Sequence, residues 1–321
     1  VLVSVATGGL AAASFAGAAT LGQALWQQSV ALPVLVGALA TLAWRDRSPR
    51  AALATPALLV TAVLLRSTIA PLALGLGVAW CLDPRPRRAW AIASGLAVLV
   101  ALPFVLWNLT YLGTPLPVAQ LRANANVTDE IFVWTRGQLG YGLGGLMISP
   151  GRGLLWYAPV AVFGIVRALR GNSRSERVMA AAAVLQILAV AVFHMWWGGI
   201  CFGPRFLVEV TWVGIWLASS ASVAAAGVTR AGLAGARVAR GLGVLAVVVT
   251  LIVGQLGLWC WRAEQWETRR NPDIDQNALW DFVDSPITAM ARDIRDQPIA
   301  MDTLLAPPRM RCEAGHLRTF H

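Results

Sequence analysis

The sequence contains no lysine and few acidic residues. All 26 basic residues are arginine, against 16 Asp and Glu, which gives a formal net charge of +10. A strongly basic chain suggests a nucleic-acid-binding protein when its basic residues form one continuous patch. Here the arginines stand between long apolar runs, and charged residues make up only 13% of the chain. The distribution therefore argues against nucleic acid as a partner.

The motifs of soluble enzymes are also missing. The chain has no GxGxxG after a strand, no GxxxxGK[ST], no HExxH and no GxSxG. Its 3 His and 4 Cys have no metal-ligand or CxxC spacing, so neither a metal site nor a cofactor is expected. For Cys201, Cys260 and Cys312 two alternatives stay open, a disulfide in an oxidising compartment or buried thiols.

What the chain has in excess is hydrophobic sequence. Hydrophobic residues make up 57% of it and the mean hydropathy is +0.62, more than the core of a soluble domain needs. A membrane helix takes about 20 mainly apolar residues. The sequence therefore predicts an all-α, polytopic bundle of about nine membrane spans. They are Val1–Ala19, Ser29–Trp44, Ala51–Leu65, Ile69–Leu82, Ala89–Trp107, Gly153–Leu169, Val178–His194, Arg205–Ala225 and Gly241–Trp261.

The arginines of the connectors orient this bundle, because positively charged short loops stay in the cytoplasm. One set of connectors is rich in them: Arg45, Arg47, Arg50, Arg85, Arg87, Arg88, Arg167, Arg170, Arg174, Arg177, Arg230, Arg237 and Arg240. The other set holds only Arg66, Arg122, Arg136, Arg152 and Arg205. We therefore expect the loop 108–152, the turn 195–204 and the C-terminal tail on the extracytoplasmic side.

Residues 262–321 differ in character from the transmembrane domain 1–261, because they hold most of the acidic residues of the chain. Within this segment Ser285 and Pro286 precede an apolar stripe, a pattern typical of a capped helix start. We expect these residues to form a small polar tail that docks on the outer face.

Arg152 is the first candidate for chemistry, in Ser149-Pro150-Gly151-Arg152-Gly153 before a predicted span. Gly151 and Gly153 let the backbone turn sharply, and exposed amides beside a planar guanidinium suit a phosphate. The alternative is an arginine that only extends from a helix end to the membrane interface.

Arg205 and Arg66 share the predicted outer side with Arg152. Glu209 is four residues after Arg205, so the two would face one side of a helix and pair. Such a pair has a structural interpretation, but charge is expensive in lipid and is therefore a functional candidate. Three arginines converging there would bind a lipid phosphate or pyrophosphate.

The remaining candidates are weaker. Asp129 and Glu130 are the acidic residues of the long loop, and a general base must come from such a carboxylate, although a solvated loop tip is the simpler interpretation. Trp26, Gln27 and Gln28 suit a contact with a sugar or acceptor, and an interfacial aromatic belt is the alternative.

These segments together resemble the bacterial GT-C membrane glycosyltransferases, in the branch similar to protein O-mannosyltransferases and aminoarabinose transferases. The resemblance covers roughly residues 21–218, and its specific parts are Ser149–Gly153 and Gly203-Pro204-Arg205-Phe206. The other segments in matching order are Ala24–Gln28, Leu64–Thr68, Asn108 with Gly113–Leu116, and Trp197–Gly199.

The resemblance implies an enzyme of the bacterial cytoplasmic membrane with its active face outside. It would transfer a sugar from a polyprenyl-phosphate donor to a glycan, lipid or protein acceptor, with inversion. Arg152, Arg66 and Arg205, with Gly151 and Gly153, would hold the donor phosphate.

One departure from the family is a missing carboxylate. The family places a catalytic Asp in the first large outer loop, and this chain shows no counterpart, beginning instead with Val1 in an apolar run. We expect a chain truncated at its N-terminus and inactive in this form. The alternative, of another class, is a transporter or a scaffold that binds anionic lipid without catalysis.

Overall fold

The computed structural model describes residues 27–45, 47–82, 86–113, 139–193, 195–199, 201–224, 233–259, 266, 269–296, 309–313 and 316–320. Its helices are α1 (Gln27–Ala43), α2 (Thr55–Leu65), α3 (Ala70–Cys81), α4 (Arg87–Leu112), α5 (Leu139–Ile148), α6 (Leu154–Tyr157), α7 (Pro159–Arg170), α8 (Arg174–Ala191), α9 (Val208–Ala224), α10 (Leu233–Trp259) and α11 (Pro286–Asp296). Short 3-10 segments cover Ala51–Ala54, Ser67–Ile69, Arg205–Leu207 and Gln276–Trp280. Strands β1 (Arg309–Glu313) and β2 (His316–Phe320) form one antiparallel hairpin.

The apolar runs predict the helices well, because backbone groups surrounded by apolar side chains must pair within their own segment. Every predicted span from Ser29 onward coincides with a helix or with a helix broken once, so the helical fold is confirmed for these residues. The predicted span Gly153–Leu169 is divided at Ala158, whose ψ of 61° precedes Pro159. The β1–β2 hairpin was not predicted, and Val1–Ala19 lies outside the described residues.

Helix length does not support the full set of nine spans. Among the described helices, only the segment Arg87–Tyr111 is both long enough, at 25 residues, and apolar enough to cross a membrane. The other apolar helices singled out by composition have 10–17 residues. Since a perpendicular crossing takes about 20 residues, the structure supports a helical protein with one candidate span.

The loop expected between Asn108 and Arg152 is partly helical. Helix α4 continues past Asn108 to Leu112, and α5 (Leu139–Ile148) occupies the end of the predicted loop. The glycines of α5 made its sequence resemble a loop. In the structure they allow close helix packing, because a Cβ on Gly142 would lie 2.1 Å from the Ala191 carbonyl oxygen. The prediction of a continuous loop over residues 108–152 was therefore wrong at both ends.

The helices pack through small residues into one buried core. Helix α7 packs along α9, and α8 packs along α3. A Cβ on Gly164 of α7 would lie 2.0 Å from the carbonyl oxygen of Gly214 on α9, so the two backbones meet without a side chain between them. This tight packing aligns the ends of the helices and places their connectors side by side.

Described residues at the ends of three Arg-rich connectors lie together at one end of the bundle. Arg45, after α1, donates a hydrogen bond of 3.5 Å from Nη1 to Ser175 Oγ at the start of α8. Trp80, at the end of α3, donates a bond of 2.7 Å from Nε1 to the carbonyl of Ala52, which precedes α2. Because α2, α3 and α8 continue from there, the segments around Arg66 and Met195 lie at the other end.

The described tail residues 269–296 dock at that other end of the bundle. The amide of Gly151 donates to the carbonyl of Leu279 at 3.1 Å, and Trp197 Nε1 donates to Asp273 Oδ1 at 2.7 Å. The predicted helix start is confirmed, because Ser285 Oγ accepts from the Thr288 amide at 3.2 Å. The tail thus covers the segments that carry the candidate residues.

Asp281 links several residues of the tail through its carboxylate. Its Oδ1 accepts hydrogen bonds of 2.9 Å from the amides of Val283 and Asp284, and its Oδ2 pairs with Arg270 at 3.0 Å. The Asp284 amide is the main reason that the pKa of the Asp281 carboxyl lies below its ordinary value.

Candidate functional site

A buried ion pair joins two distant segments. Arg66 interrupts the chain between α2 and the next 3-10 turn, with an extended backbone (φ −150°, ψ 96°) that ends the helix. From there its Nη1 pairs with Glu209 Oε1 in the first turn of α9. Arg66 is 4% exposed and Glu209 is 1% exposed. A pair buried this deeply is stable only while both charges are present.

This pairing differs from the expected pair of Arg205 and Glu209. The expectation assumed an α-helix from Arg205 onward, in which positions four apart share a face. Instead Arg205–Leu207 is a 3-10 turn and α9 begins at Val208. The carboxylate Oε1 of Glu209 is therefore bound by Arg66, a residue 143 positions away in the chain.

Arg205 nevertheless lies beside this pair, because both arginines flank one aromatic ring. The guanidinium carbon of Arg66 is 5.7 Å from the centroid of the Phe206 ring, and that of Arg205 is 5.3 Å from it. Phe193 holds the ring in place by an edge-on contact at 5.7 Å. The formal charges of Arg66, Arg205 and Glu209 sum to +1, in a setting with little water. We call these three residues with Phe206 the arginine cluster.

Two buried oxygen atoms near the cluster accept no hydrogen bond within the described structure. They are Oε2 of Glu209 and Oε1 of Gln186. Gln186, on α8, is 1% exposed, and its Nε2 donates to the carbonyl of Thr68 at 2.9 Å. Both side chains are therefore tied to the turn that begins at Arg66.

Arg152 is held differently from what the phosphate prediction requires. It is 0% exposed, and its three guanidinium nitrogens donate to backbone carbonyls: Nε to Trp197 at 2.8 Å, Nη1 to Gly151 at 2.9 Å and Nη2 to Gly199 at 2.8 Å. Because the side chain is fully buried, a phosphate could reach this guanidinium only if the surrounding structure moved. The structure assigns Arg152 to holding the 195–204 segment in place.

The amides of Gly151 and Gly153 are likewise engaged, so the predicted open cradle is not present. Gly151 donates to Leu279 of the tail, Arg152 donates to Ser149 Oγ at 3.0 Å, and Gly153 donates to the Ser149 carbonyl at 2.6 Å. A Cβ on Gly153 would lie 2.5 Å from that same carbonyl oxygen. Gly153 therefore permits a tight turn that is closed by its own backbone hydrogen bond. The sequence had suggested that the glycine allows the backbone to approach a ligand.

Two further glycines shape the segment that Arg152 holds. Gly198 and Gly199 have φ values of 82° and 70°, a conformation that other residues adopt rarely. This turn directs the carbonyls of Trp197 and Gly199 to Arg152. A Cβ on Gly198 would lie 3.4 Å from Arg205 Cβ, so the turn passes directly beside the arginine cluster. Arg152 therefore supports Arg205 through this turn.

The other predicted site residues fall outside what the structure describes. Asp129, Glu130 and Trp26 are not among the described residues, and Gln27 and Gln28 are described only as the first backbone positions of α1. The sequence analysis missed Gln186 and gave Phe206 no role beyond its place in the segment Gly203–Phe206. The available signal for Gln186 was a single amide inside an apolar run.

Within the described ranges, no group of three His, Cys, Asp or Glu side chains is close enough to hold a metal ion. Comparison of the chain with known proteins found no matching family, no matching curated protein and no matching solved structure.

Proposed function

We propose that the protein is a membrane glycosyltransferase of the GT-C type, which moves a sugar from a polyprenyl-phosphate donor to an acceptor outside the cytoplasm. The observation that carries the proposal is the arginine cluster. It gathers two guanidinium groups around one ring at the end of the bundle opposite the Arg-rich connectors. An anionic lipid head group is the ligand that such a cluster suits at a membrane face.

In this proposal Arg205 contacts the donor phosphate, the buried Arg66 adds its positive charge nearby, and Arg152 positions Arg205. Arg205 is partly exposed, whereas Arg152 is 0% exposed. When the sugar leaves the phosphate, negative charge develops on the phosphate oxygens. Fixed guanidinium groups in a water-poor site stabilise that charge without having to reorganise.

The bundle would lie in the bacterial cytoplasmic membrane, with residues 1–261 as the membrane domain and 262–321 as an extracytoplasmic tail. Helix α4 supports a lipid-facing position, because it exposes large apolar side chains along its length. They include Leu96, Val98, Leu99, Leu102 and Leu106. Short broken helices are tolerated at membrane depth where neighbouring helices bury their backbone. The proposal therefore keeps about nine membrane spans.

The proposal is tested by lipid binding to the purified protein. Arg205→Gln is expected to weaken binding of undecaprenyl phosphate about tenfold to a hundredfold, because a charge-assisted hydrogen bond contributes about 1.5–3 kcal/mol. Binding is measured by native mass spectrometry in lipid nanodiscs. Arg174→Gln removes an equivalent charge from the exposed start of α8 and serves as the matched control, with affinity unchanged.

Equal affinities for wild type and Arg205→Gln would contradict the phosphate role of Arg205. A sugar-transfer assay with the native protein in its membranes separates the enzyme from its alternative. Lipid binding that depends on Arg205 but is never followed by transfer would favour a scaffold that holds an anionic lipid.

The proposed orientation is tested by cysteine labelling in a variant whose native Cys residues are replaced by Ser. Ile274 in the tail is 85% exposed, so Ile274→Cys is expected to react with an impermeant maleimide added to intact cells. Arg174→Cys is expected to react only after the membrane is permeabilised. The reverse pattern would invert the proposed topology.

A further inference from the structure

The two unpartnered oxygens beside the arginine cluster are unusual for a buried site. A buried acceptor without a hydrogen bond destabilises the folded state, and native proteins contain few of them. Here Glu209 Oε2 and Gln186 Oε1 both lack a partner within the described structure, although each residue is 1% exposed. Each side chain also makes a specific bond at its other polar atom, to Arg66 or to Thr68.

The orientation of Gln186 is determined by its neighbour. The carbonyl of Thr68 can only accept, so the amide nitrogen of Gln186 must face it and Oε1 must point away. Similarly, Arg66 can only donate, and it takes Oε1 of Glu209. The two remaining oxygens are therefore unused acceptors. Their side chains bind the same turn, Glu209 at Arg66 and Gln186 at Thr68.

This turn lies at the surface of the bundle. Thr68 is exposed, and Leu65 is 37% exposed at the end of α2. The side chains that carry the two acceptors bind this turn, Glu209 at Arg66 and Gln186 at Thr68.

A ligand that satisfies them must donate hydrogen bonds. Hydroxyl groups of a sugar supply such donors without adding a charge. We propose that Glu209 Oε2 and Gln186 Oε1 form a subsite for hydroxyl groups of the donor sugar. This inference rests on the proposed function, because it places the sugar beside its lipid phosphate.

Glu209→Gln separates the sugar contact from the phosphate contact. The glutamine oxygen can still accept from Arg66, while its amide nitrogen replaces the acceptor Oε2 with a donor. The change also removes one negative charge near the phosphate and leaves the charge of Arg66 uncompensated, so the affinities of this variant are measured on its folded fraction. We expect undecaprenyl phosphate to bind as well as to wild type or more tightly, and undecaprenyl phosphate hexose to bind about tenfold more weakly.

Gln186→Met is the second variant, because it removes the other acceptor at similar size and is expected to reduce the affinity for the hexose lipid selectively. Thr250→Val, which changes a buried polar residue of α10, is the control for general loosening and should leave the ratio of the two affinities unchanged.

The outcomes distinguish this inference from the proposed function. If wild type fails to bind undecaprenyl phosphate at all, the proposed function is overturned. If wild type binds it but Glu209→Gln changes the affinities for both lipids by the same factor, only the sugar subsite is overturned.

Discussion

Glu209→Ala is expected to destabilise the folded protein by about 3–5 kcal/mol, the largest effect of any single change at the site. The reason is that Arg66, which is 4% exposed, would keep its charge in the bundle without the carboxylate that compensates it. The free energy of unfolding can be measured by denaturant titration in detergent micelles.

The paired substitution Arg66→Met with Glu209→Met is the control for this result. Replacing a buried ion pair by apolar residues of similar volume is often neutral or stabilising, because the desolvation cost of both charges disappears. We expect the double variant to recover most of the stability that Glu209→Ala loses, while losing lipid binding. If the double variant is less stable than the single one, the two charges do not act as a pair.

Arg152→Lys is expected to be almost as destabilising as Arg152→Ala, by about 3 kcal/mol or more. The guanidinium bonds three carbonyls at once, those of Trp197, Gly151 and Gly199. A lysine ammonium carries the same charge but lacks the planar fork, so buried carbonyls lose their partners at about 1–3 kcal/mol each. Unfolding in micelles measures the loss, and undecaprenyl phosphate binding should fall with it.

Arg205→Lys is the matched comparison, because it keeps the charge of the partly exposed arginine that we assign to the donor phosphate. It should keep part of the lipid affinity of wild type. If Arg152→Lys retains full stability and affinity, Arg152 acts through its charge, and a direct phosphate contact would be the better description.

The helices were predictable from the sequence because each apolar run is an element by itself. The start of α11 shows the same local logic, since Ser285, Pro286 and the stripe that follows are adjacent in the chain. Such features need no knowledge of the partner elements. The distribution of arginines along the chain also predicted the candidate arginines at one end of the bundle. The contacts of Arg45 and Trp80 support this, because they bring Arg-rich connectors together at the opposite end.

The partners of individual side chains were not predictable in this way. Arg205 and Glu209 have helical spacing, but a 3-10 turn changes the face that Arg205 presents, and Glu209 binds Arg66 instead. Nothing in the local sequence indicates a pairing across 143 positions.

The segment Ser149–Gly153 shows the same limit more clearly. Its glycines and arginine match what a phosphate site needs, and equally what a tight self-closed turn needs. The choice is made by distant residues, because Leu279 takes the amide of Gly151 and the Trp197 carbonyl takes Arg152 Nε. We therefore propose the phosphate site at the arginine cluster, a choice that required knowledge of the tertiary contacts.

The most direct test of the central claim is photo-crosslinking with an undecaprenyl phosphate analogue that carries a diazirine next to the phosphate. After irradiation in nanodiscs, digestion and mass spectrometry locate the modified peptides. We expect adducts on residues 195–209 and 65–69, and we expect Arg205→Gln to abolish them. Adducts on the Arg-rich connectors 45–50 or 170–177, or labelling that is unchanged in Arg205→Gln, would contradict a lipid-phosphate site at the arginine cluster.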